Sequence, residues 1–369
     1  MKDKNIKIYL QYPWKFPDSP YYKYLIDSPP EGIEFLNTQK QKGVITNKKF
    51  FLFSNFLKNR VRSWPTKLKL AIPNAHLSPK GNYDLIHCCH CLSKNIDKPW
   101  VADLESWWSA YLSSPYSERS RKKVEKILIS PNCKKLMPWT EATKEIIVEK
   151  FPRIKNKIEV VYPAIPERKE RKDRENKKLN LIFTGRYFYQ KGGHHALEVI
   201  DRLTKKYPNV WGIFNSEVPE DILKGYSKNK KIKFFGLIPQ SKLFELYGNA
   251  DILIYPGYSD SFGFAYLEAM SFGVPIITTD GFARKEIVEE GKTGFVIDLQ
   301  KRFIKSFKYE GYDKKVIDEL ANKTSMLIED KKLRKRMSKE CIKTIKSGKF
   351  SITERDKKLK RIYREAIGK

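Results

Sequence analysis

The stretch "ADILIYPGYSDSFGFAYLEAMSFGVPIITT" (residues 250–279) decides the fold of the C-terminal half of the chain. Its pattern predicts a strand over 252–255, a loop, a helix over 263–272 and a second strand over 274–278. Both strand segments are short and almost wholly apolar, as in strands that are buried on both faces of a parallel sheet. The stretch therefore predicts an α/β fold built from strand–helix–strand units.

The same alternation extends over most of the chain. It predicts further strands over 179–184, 210–214, 232–235 and 295–297, and in the N-terminal half over 6–12, 83–89, 100–104, 127–130 and 158–162. Helices are predicted over 48–62, 140–151, 193–207, 240–249 and 352–369, and Thr140 is suited to cap the second of them. Two Rossmann-like domains that face each other across a cleft are the simplest architecture for this order of elements.

The run "YPAIPERKERKDRENKK" (162–178) interrupts the alternation with prolines and mixed charges. Such a composition is typical of a segment between domains. We therefore expect a first domain over 1–165, a charged linker over 166–178, a second domain over 179–348 and a C-terminal helix over 349–369.

The composition excludes several classes of protein. The chain has 369 residues, of which 40% are hydrophobic and 13% aromatic, so it is long enough for two domains and too apolar for wholesale disorder. No uncharged apolar run approaches the ~20 residues that span a bilayer. The N-terminal segment has the pattern of a strand rather than a signal peptide, and the five cysteines, three of them within 88–91, lack the spacing of a disulfide framework. These features favour a cytoplasmic protein.

The formal net charge is +30, with lysine and arginine scattered along the chain and local runs diluted by acids. A basic protein can bind nucleic acid, a phosphorylated substrate or, as a peripheral protein, an anionic membrane surface. It can equally carry a lysine-rich surface that has no anionic partner. The sequence leaves both interpretations open.

A second stretch, "TGRYFYQKGG" (184–193), follows a predicted strand and precedes a predicted helix, where ligands bind at the carboxyl edge of an open α/β sheet. Gly185 allows a tight turn, and Arg186 and Lys191 supply positive charge. The glycines at 192–193 open a helix whose free N–H groups favour anions. The stretch is suited to a diphosphate, although taken alone it is compatible with a glycine-rich turn and two solvated bases.

Two acids lie eight positions apart in the first stretch, Asp260 in the loop and Glu268 inside the predicted helix. Carboxylates are rarely buried without a partner, and they accept hydrogen bonds bidentately from vicinal hydroxyls. Sugars and riboses supply such hydroxyl pairs, whereas phosphates do not. Two acids beside a helix N-terminus, together with Arg186 and Lys191, therefore predict a ligand with a sugar on each side of a diphosphate, which is a nucleotide-sugar.

Four elements in order over about 180–298 resemble the family 4 retaining glycosyltransferases, whose fold is called GT-B. They are "TGRYFYQKGG", the run "FFGLIPQSKLFELYGNADILIYPG" (234–257), the two acids separated by seven residues with a Phe-Gly step between them, and "EIVEEGKTGFVI" (286–297). The first of the two acids is normally Glu in the family and is Asp260 in this chain, which leaves the identity of the sugar open.

By this resemblance the chain would be a retaining glycosyltransferase with a donor-binding second domain and an acceptor-binding first domain. It would transfer a hexose from a UDP- or GDP-linked donor to a hydroxyl of a glycan, a lipid-linked sugar or a small molecule. The family generally needs no metal and no cofactor beyond the donor, and no Asp-x-Asp triplet occurs in this sequence.

The resemblance also implies roles for individual residues. Arg186 and Lys191 would neutralise the departing diphosphate, and Glu268 would hold the ribose hydroxyls. Asp260 would hold the transferred sugar. The other donor-binding positions are expected in the two loops, at Gly185, Ser261, Phe262, Gly263 and Phe264.

In the N-terminal half the segment "KPWVADLESWW" (98–108) carries a further candidate, Glu105. In many relatives a strand at this place ends near a histidine that lies close to the reacting sugar, and Glu105 aligns with that position. Period-two alternation would send Asp103 to the same side of the strand. Glu105 is thus either a catalytic residue that contacts donor or acceptor, or part of an acidic loop paired with surplus lysines.

The motif "HCCHC" (87–91) invites a metal site but does not predict one. In a strand its residues alternate between the two faces, so a single ion cannot collect four of them. We expect a buried strand that runs into a loop at the cleft, where His87 or His90 contacts substrate.

Two segments are candidates for the acceptor region, 106–123 with its aromatic, hydroxyl and basic residues and 12–25 with its tyrosines. Both are also compatible with ordinary domain packing.

Two other functions compete with glycosyl transfer. One is a synthase or phosphorylase of the same fold that uses a phosphorylated sugar. The other is a basic nucleic-acid-binding protein on a degenerate transferase scaffold. The second lacks any recognised nucleic-acid-binding motif, so no nucleic-acid partner is expected.

Overall fold

The computed structural model describes residues 5–12, 20–38, 72–112, 117–168, 178–299 and 313–369. The chain divides into two compact units, Met1–Ala164 with Ile352–Lys369 and Ile165–Ser351. The predicted helix over 48–62 and most of the predicted linker, residues 169–177, lie outside the described residues, as do parts of both candidate acceptor segments.

The first unit is built on a five-stranded parallel sheet with the order β2-β1-β4-β6-β7. Its strands are β1 (Ile6–Gln11), β2 (Ile33–Leu36), β4 (Leu85–Cys89), β6 (Trp100–Leu104) and β7 (Cys133–Pro138), and β3 (Ala75–His76) pairs separately with β5 (Leu92–Ser93). The helices are α1 (Pro20–Asp27), α2 (Glu118–Leu128) and α3 (Glu141–Lys150), with 3-10 turns at Trp107–Ala110 and Pro152–Lys157. Every residue of β4 and β6 is buried, as expected for central strands of a covered parallel sheet.

The N-cap of α3 is confirmed, because the Thr140 side chain accepts a hydrogen bond from Thr143 N at 3.0 Å. The predicted strand over 127–130 is wrong. Its first two residues form the last turn of α2, which buries Val124 and Leu128 four positions apart, and the strand of this region is β7. Of the predicted strand over 158–162 only a single bridge remains, between Ile158 and Leu136.

The second unit is built on a six-stranded parallel sheet with the order β10-β9-β8-β11-β12-β13. The strands are β8 (Leu179–Thr184), β9 (Val210–Asn215), β10 (Ile232–Phe235), β11 (Ile252–Ile254), β12 (Ile276–Thr279) and β13 (Gly294–Ile297). All six predicted strands are confirmed to within two residues at each end. The helices are α4 (Gly193–Lys206), α5 (Glu220–Tyr226), α6 (Gln240–Asn249), α7 (Phe264–Ser271), α8 (Arg284–Ile287), α9 (Lys314–Glu329) and α10 (Lys331–Lys346).

The last helix, α11 (Ile352–Ala366), belongs to the first unit. Its Arg355 is buried and donates hydrogen bonds to Tyr24 O at 3.2 Å and to Ser28 O at 2.5 Å, just beyond α1. Its Tyr363 is hydrogen-bonded to His87 Nδ1 at 2.7 Å, on β4. Among the described residues, no helix combines the length and apolarity needed to cross a membrane.

Candidate functional site

Two loops of the second unit lie side by side at the carboxyl edge of its sheet. One follows β8 and the other follows β11, and these two strands are neighbours at the point where the strand order reverses. Ligands of open α/β sheets bind at such a switch point. Gly257 N donates to Lys191 O at 3.0 Å and Ser259 N to Gln190 O at 3.1 Å, so the main chains of the two loops are joined directly.

Lys191 and Asp260 form the central polar contact of this edge. Lys191 Nζ donates to Asp260 Oδ1, and Tyr255 OH donates to Asp260 Oδ2 at 2.6 Å. The two charged side chains are largely withdrawn from solvent, with 16% and 12% of their surfaces exposed. Burial raises the pKa of Tyr255, and the negative charge of Asp260 raises it further, so the phenol stays a donor at neutral pH. The predicted Lys191 and Asp260 are therefore brought together.

Gly185 provides the space that Lys191 occupies. A Cβ at position 185 would lie 3.0 Å from Lys191 Cβ, closer than side chains normally approach. The main chain is fixed there, because Gly185 N donates to Asn215 O at 3.0 Å and Ser216 Oγ donates to Gly185 O at 2.6 Å. Arg186, which is half-buried, comes next in the chain on the same loop.

The helix α7 begins beside the Asp260 carboxyl group. Its N-cap, Gly263, has φ 85° in the left-handed region, and a Cβ there would lie 3.4 Å from Asp260 Cγ and 2.6 Å from the Tyr266 ring. The free N–H groups and the dipole of a helix N-terminus favour negative charge or electron-rich oxygen. Phe262 is buried against Phe350, so at this predicted donor-binding position the side chain is part of the interior.

Glu268 lies in the second turn of α7 with 7% of its surface exposed. Its Oε1 accepts a hydrogen bond from Gln240 Nε2 at 3.2 Å, at the start of α6. Tyr247 packs nearby; burial raises the pKa of its phenol, and the Glu268 charge raises it further. Glu268 is thus a buried carboxylate held by an amide, and a carboxylate can accept hydrogen bonds from hydroxyls.

Arg284, which was not predicted from the sequence, holds the loop after β11 in place. Its guanidinium is buried, with Nη1 donating to Gly257 O at 2.6 Å and Nε to Thr279 O at 2.8 Å. Five N–H donors in a planar group suit it to bind several carbonyl oxygens at once. The surrounding "FARKEIV" has the composition of an exposed, charged helix, so nothing in the pattern marks this arginine as internal.

Glu105 lies in the first unit, immediately after β6, whereas the other candidates lie in the second unit. It is half-buried, and its main chain is held on both sides. Thr143 Oγ1 donates to Glu105 O at 3.1 Å, and Glu105 N donates to His90 Nδ1 at 3.4 Å.

Asp103 does not share the environment of Glu105. It is buried, and it accepts hydrogen bonds from Tyr22 OH at 2.5 Å and from His90 N at 3.1 Å, and pairs with His87 Nε2 at 2.9 Å. Burial pushes its pKa up, but the charge and hydrogen bond of His87, together with the hydrogen bond from Tyr22, outweigh this, so the pKa lies below its ordinary value. The partners of Asp103 are therefore the buried His87, the partly exposed His90 and a tyrosine rather than lysines.

The "HCCHC" motif behaves as a strand and the start of a loop. His87 is fully buried between Asp103 and Tyr363, so it is an internal residue, while His90 lies at the strand end and is partly exposed. All five cysteines are buried and free. In the described ranges no three His, Cys, Asp or Glu residues are grouped as metal ligands would be.

Residues 165–344 match the protein family described as Glycosyl transferases group 1. A Klebsiella pneumoniae relative, described as an uncharacterized 41.2 kDa protein in the cps region, is 28% identical over 60% of this chain and 59% of its own. The D-inositol 3-phosphate glycosyltransferase of Corynebacterium urealyticum is 24% identical over 59% of this chain and 60% of its own. The chain thus spans less than two thirds of the length of these curated relatives.

The fold is shared along the whole chain with solved structures. HepE of Anabaena, crystallised in complex with UDP, has a TM-score of 0.62 at 14% identity, covering 98% of this chain and 100% of that chain. At this level of identity the likeness shows a common fold.

Proposed function

We propose that the chain transfers a hexose from a nucleotide-diphosphate donor to a hydroxyl acceptor, because residues 165–344 match the group 1 glycosyltransferase family and the fold is of the GT-B class. The observation that carries this proposal is the Lys191–Asp260 pair at the N-terminus of α7, on the edge of the sheet where Arg186 also lies. Cations, a carboxylate and free main-chain N–H groups are the partners that a sugar diphosphate needs.

The cations would act on the leaving group. An ammonium has three N–H donors, so Lys191 can keep its contact with Asp260 while it donates to a phosphate oxygen. Negative charge grows on the diphosphate as the glycosidic bond breaks. Arg186 and Lys191 would stabilise that charge in the transition state, which is the most effective place for electrostatic help.

The carboxylates would hold the sugars. Asp260 lies where α7 begins, so a hexose hydroxyl could donate to its carboxylate while accepting from the first N–H groups of the helix. Glu268, held by Gln240, would accept from the ribose hydroxyls. Retention of the anomeric configuration and independence from metal are parts of the proposal that rest on the family resemblance alone.

The donor that we place first is UDP-linked, since HepE, which shares the fold, was crystallised with UDP. GDP-linked hexoses come second. Glycans, lipid-linked sugars and small polyols are the acceptor classes, the last because the Corynebacterium relative is named for an inositol phosphate.

Isothermal titration of the purified chain with UDP-, GDP- and ADP-sugars, followed by NMR of the product anomer in the presence of EDTA, tests the proposal. We expect binding, turnover with EDTA present, and an α-linked product from an α-linked donor. Release of sugar phosphate, or transfer only with inorganic phosphate, would instead identify a synthase or phosphorylase. Absence of binding by every nucleotide-sugar, together with a band shift on nucleic acid at physiological salt, would refute the proposal.

Variants of the central pair sharpen the test. Lys191→Ala and Asp260→Asn should each lower kcat/KM by on the order of 100-fold, as loss of a transition-state contact does in other enzymes. Lys205→Ala is the matched control, because Lys205 also pairs with a largely buried acid, Asp201, but its own side chain is 68% exposed. Equal effects of Lys191→Ala and Lys205→Ala would remove Lys191 from the site.

A further inference from the structure

The carboxyl edge of the first unit's sheet carries a second group of chemically active residues. Each is the residue immediately after a strand, and they are Tyr12 after β1, His90 after β4, Glu105 after β6 and Trp139 after β7. The strand order β2-β1-β4 reverses direction between β1 and β4, so His90 adjoins the switch point of this sheet. Ligands of open α/β sheets bind at this place.

His90 is held there in an unfavourable main-chain conformation. Its φ is 53°, in the left-handed region that costs a non-glycine residue about 1 kcal/mol. Its N–H donates to the buried Asp103 at 3.1 Å, and its carbonyl accepts from Asn74 Nδ2 at 2.8 Å. Strained residues that are fixed from several sides are common at binding sites.

The ring of His90 is fixed as well. It packs edge-on against Trp139, with ring centres 4.7 Å apart, and against Tyr22 at 5.3 Å. Glu105 N lies 3.4 Å from Nδ1, and because a main-chain N–H can only donate, Nδ1 must accept. With Nδ1 as the acceptor, the N–H donor of the ring is at Nε2.

The Nε2–H group is available to a ligand. Within the part of the chain that the structure describes, no residue forms a hydrogen bond with it, and 22% of the side chain is exposed. The buried Asp103 carboxylate lies 3.9 Å from Nδ1, and the half-buried acid Glu105 contacts the ring through its main chain. Their negative charge disfavours an anionic group here, whereas a hydroxyl can accept from Nε2–H and donate to a carboxylate.

We propose that His90 is a substrate-binding residue of the first unit, donating a hydrogen bond from Nε2–H to a hydroxyl oxygen of a neutral polyol or sugar acceptor. The assignment rests on the proposed function, since it supplies the acceptor side of that reaction. It makes Glu105 a neighbour of the bound hydroxyl and Asp103 a positioning residue, because Asp103 fixes the main chain of His90 from the interior.

The variants His90→Asn and His90→Gln distinguish the effect of losing the Nε2–H donor from the effect of disturbing the fold. Asparagine tolerates positive φ, and its Oδ1 can accept from Glu105 N, so His90→Asn should still fold while it loses the donor at Nε2 and the ring contacts with Trp139 and Tyr22. Its kcat/KM for a neutral sugar acceptor should fall on the order of 10- to 100-fold. His90→Gln, whose Nε2 reaches the same place, should recover part of this loss, and UDP should bind all three proteins with the same Kd.

His90→Gly provides an independent measurement. Glycine adopts φ 53° without strain, and the missing ring leaves room for free imidazole. Imidazole should restore transfer by His90→Gly in a saturable manner and leave His90→Asn unchanged. A wild-type kcat/KM in His90→Asn, or a lack of rescue in His90→Gly, would overturn the assignment. A wild-type chain that transfers no sugar at all would instead overturn the proposed function, and this assignment with it.

Discussion

Asp103 is the residue on which the interior of the first unit depends most. It is a carboxylate with 1% of its surface exposed, yet three donors from β4, the following loop and α1 converge on it. A buried charge is stable only when it is paired, and removing one member of such a group leaves the others without partners. Asp103 therefore stabilises the fold of the first unit in addition to positioning the main chain of His90.

The stability that Asp103 contributes should depend on pH in a defined way. Its pKa lies below the ordinary value of 3.8, so its contribution is complete above that pH and is lost as the pH falls through the lowered pKa. We expect Asp103→Asn to lose about 3 kcal/mol of unfolding free energy at pH 7. In urea titrations from pH 7 to pH 3, the difference from the wild type should begin to shrink near pH 4.

The control for this prediction is Asp84→Asn. Asp84 is an exposed acid of the same unit that accepts one hydrogen bond, from Lys7 N at 2.9 Å. Its replacement should cost less than about 1 kcal/mol. A pH-independent loss in Asp103→Asn would show that its charge is not what stabilises the unit.

At the scale of elements, the N-terminus of α7 depends on one glycine. Gly263→Ala combines a positive φ with a Cβ 2.6 Å from the Tyr266 ring, so the first turn must move away from Asp260. We expect the affinity for a UDP-sugar to fall about 10-fold and the unfolding free energy to fall by at least about 1 kcal/mol. Titration calorimetry and urea unfolding measure the two effects.

Gly225→Ala is the matched control for Gly263→Ala. Gly225 lies within α5, and nothing approaches within 4 Å of a Cβ placed there. Alanine is the better helix former, so this variant should gain roughly 0.5–1 kcal/mol and bind the donor normally. Weaker donor binding by both variants would mean that the effect at 263 is not local.

The elements of the second unit could be predicted because their strands are continuous apolar runs separated by helical patterns. The predicted strand over 127–130 was wrong, because the three apolar residues 127–129 lie at the end of a helix. Such a short apolar run cannot be told from a short buried strand by its sequence. The candidate-site residues Asp260, Lys191 and Gly263 could be predicted from their spacing in the sequence. Arg284 was not, because its burial depends on carbonyl groups that only the folded loop brings together.

The whole molecule has an interrupted first unit, into which the second unit is inserted along the chain. The segment 165–351 contains its own sheet and its own candidate donor site. We expect residues 165–351, produced alone, to fold cooperatively and to bind UDP with nearly the Kd of the full chain. Circular dichroism and calorimetry measure this, and an unfolded or non-binding fragment would contradict the division into units.

The first unit should depend on α11. Arg355→Ala removes the donor to one main-chain carbonyl in α1 and one just beyond it, and should cost about 3 kcal/mol, because the Tyr24 carbonyl is left buried and the Ser28 carbonyl half-buried without this partner. Lys357→Ala, on the exposed side of the same helix, should be nearly neutral. Differential scanning calorimetry of the full chain compares them, and equal melting temperatures would show that Arg355 does not anchor the helix.

The late position of α11 in the chain has a consequence for biogenesis. The ribosome finishes residues 165–351 before it makes the helix that completes the first unit, so the inserted unit can reach its native state earlier. A polypeptide released before α11 is made would then combine a folded second unit with a first unit whose apolar interior is exposed, and chaperones and proteases act on such states. The first unit can therefore reach its complete fold only after the chain has been translated through Ala366, the end of α11.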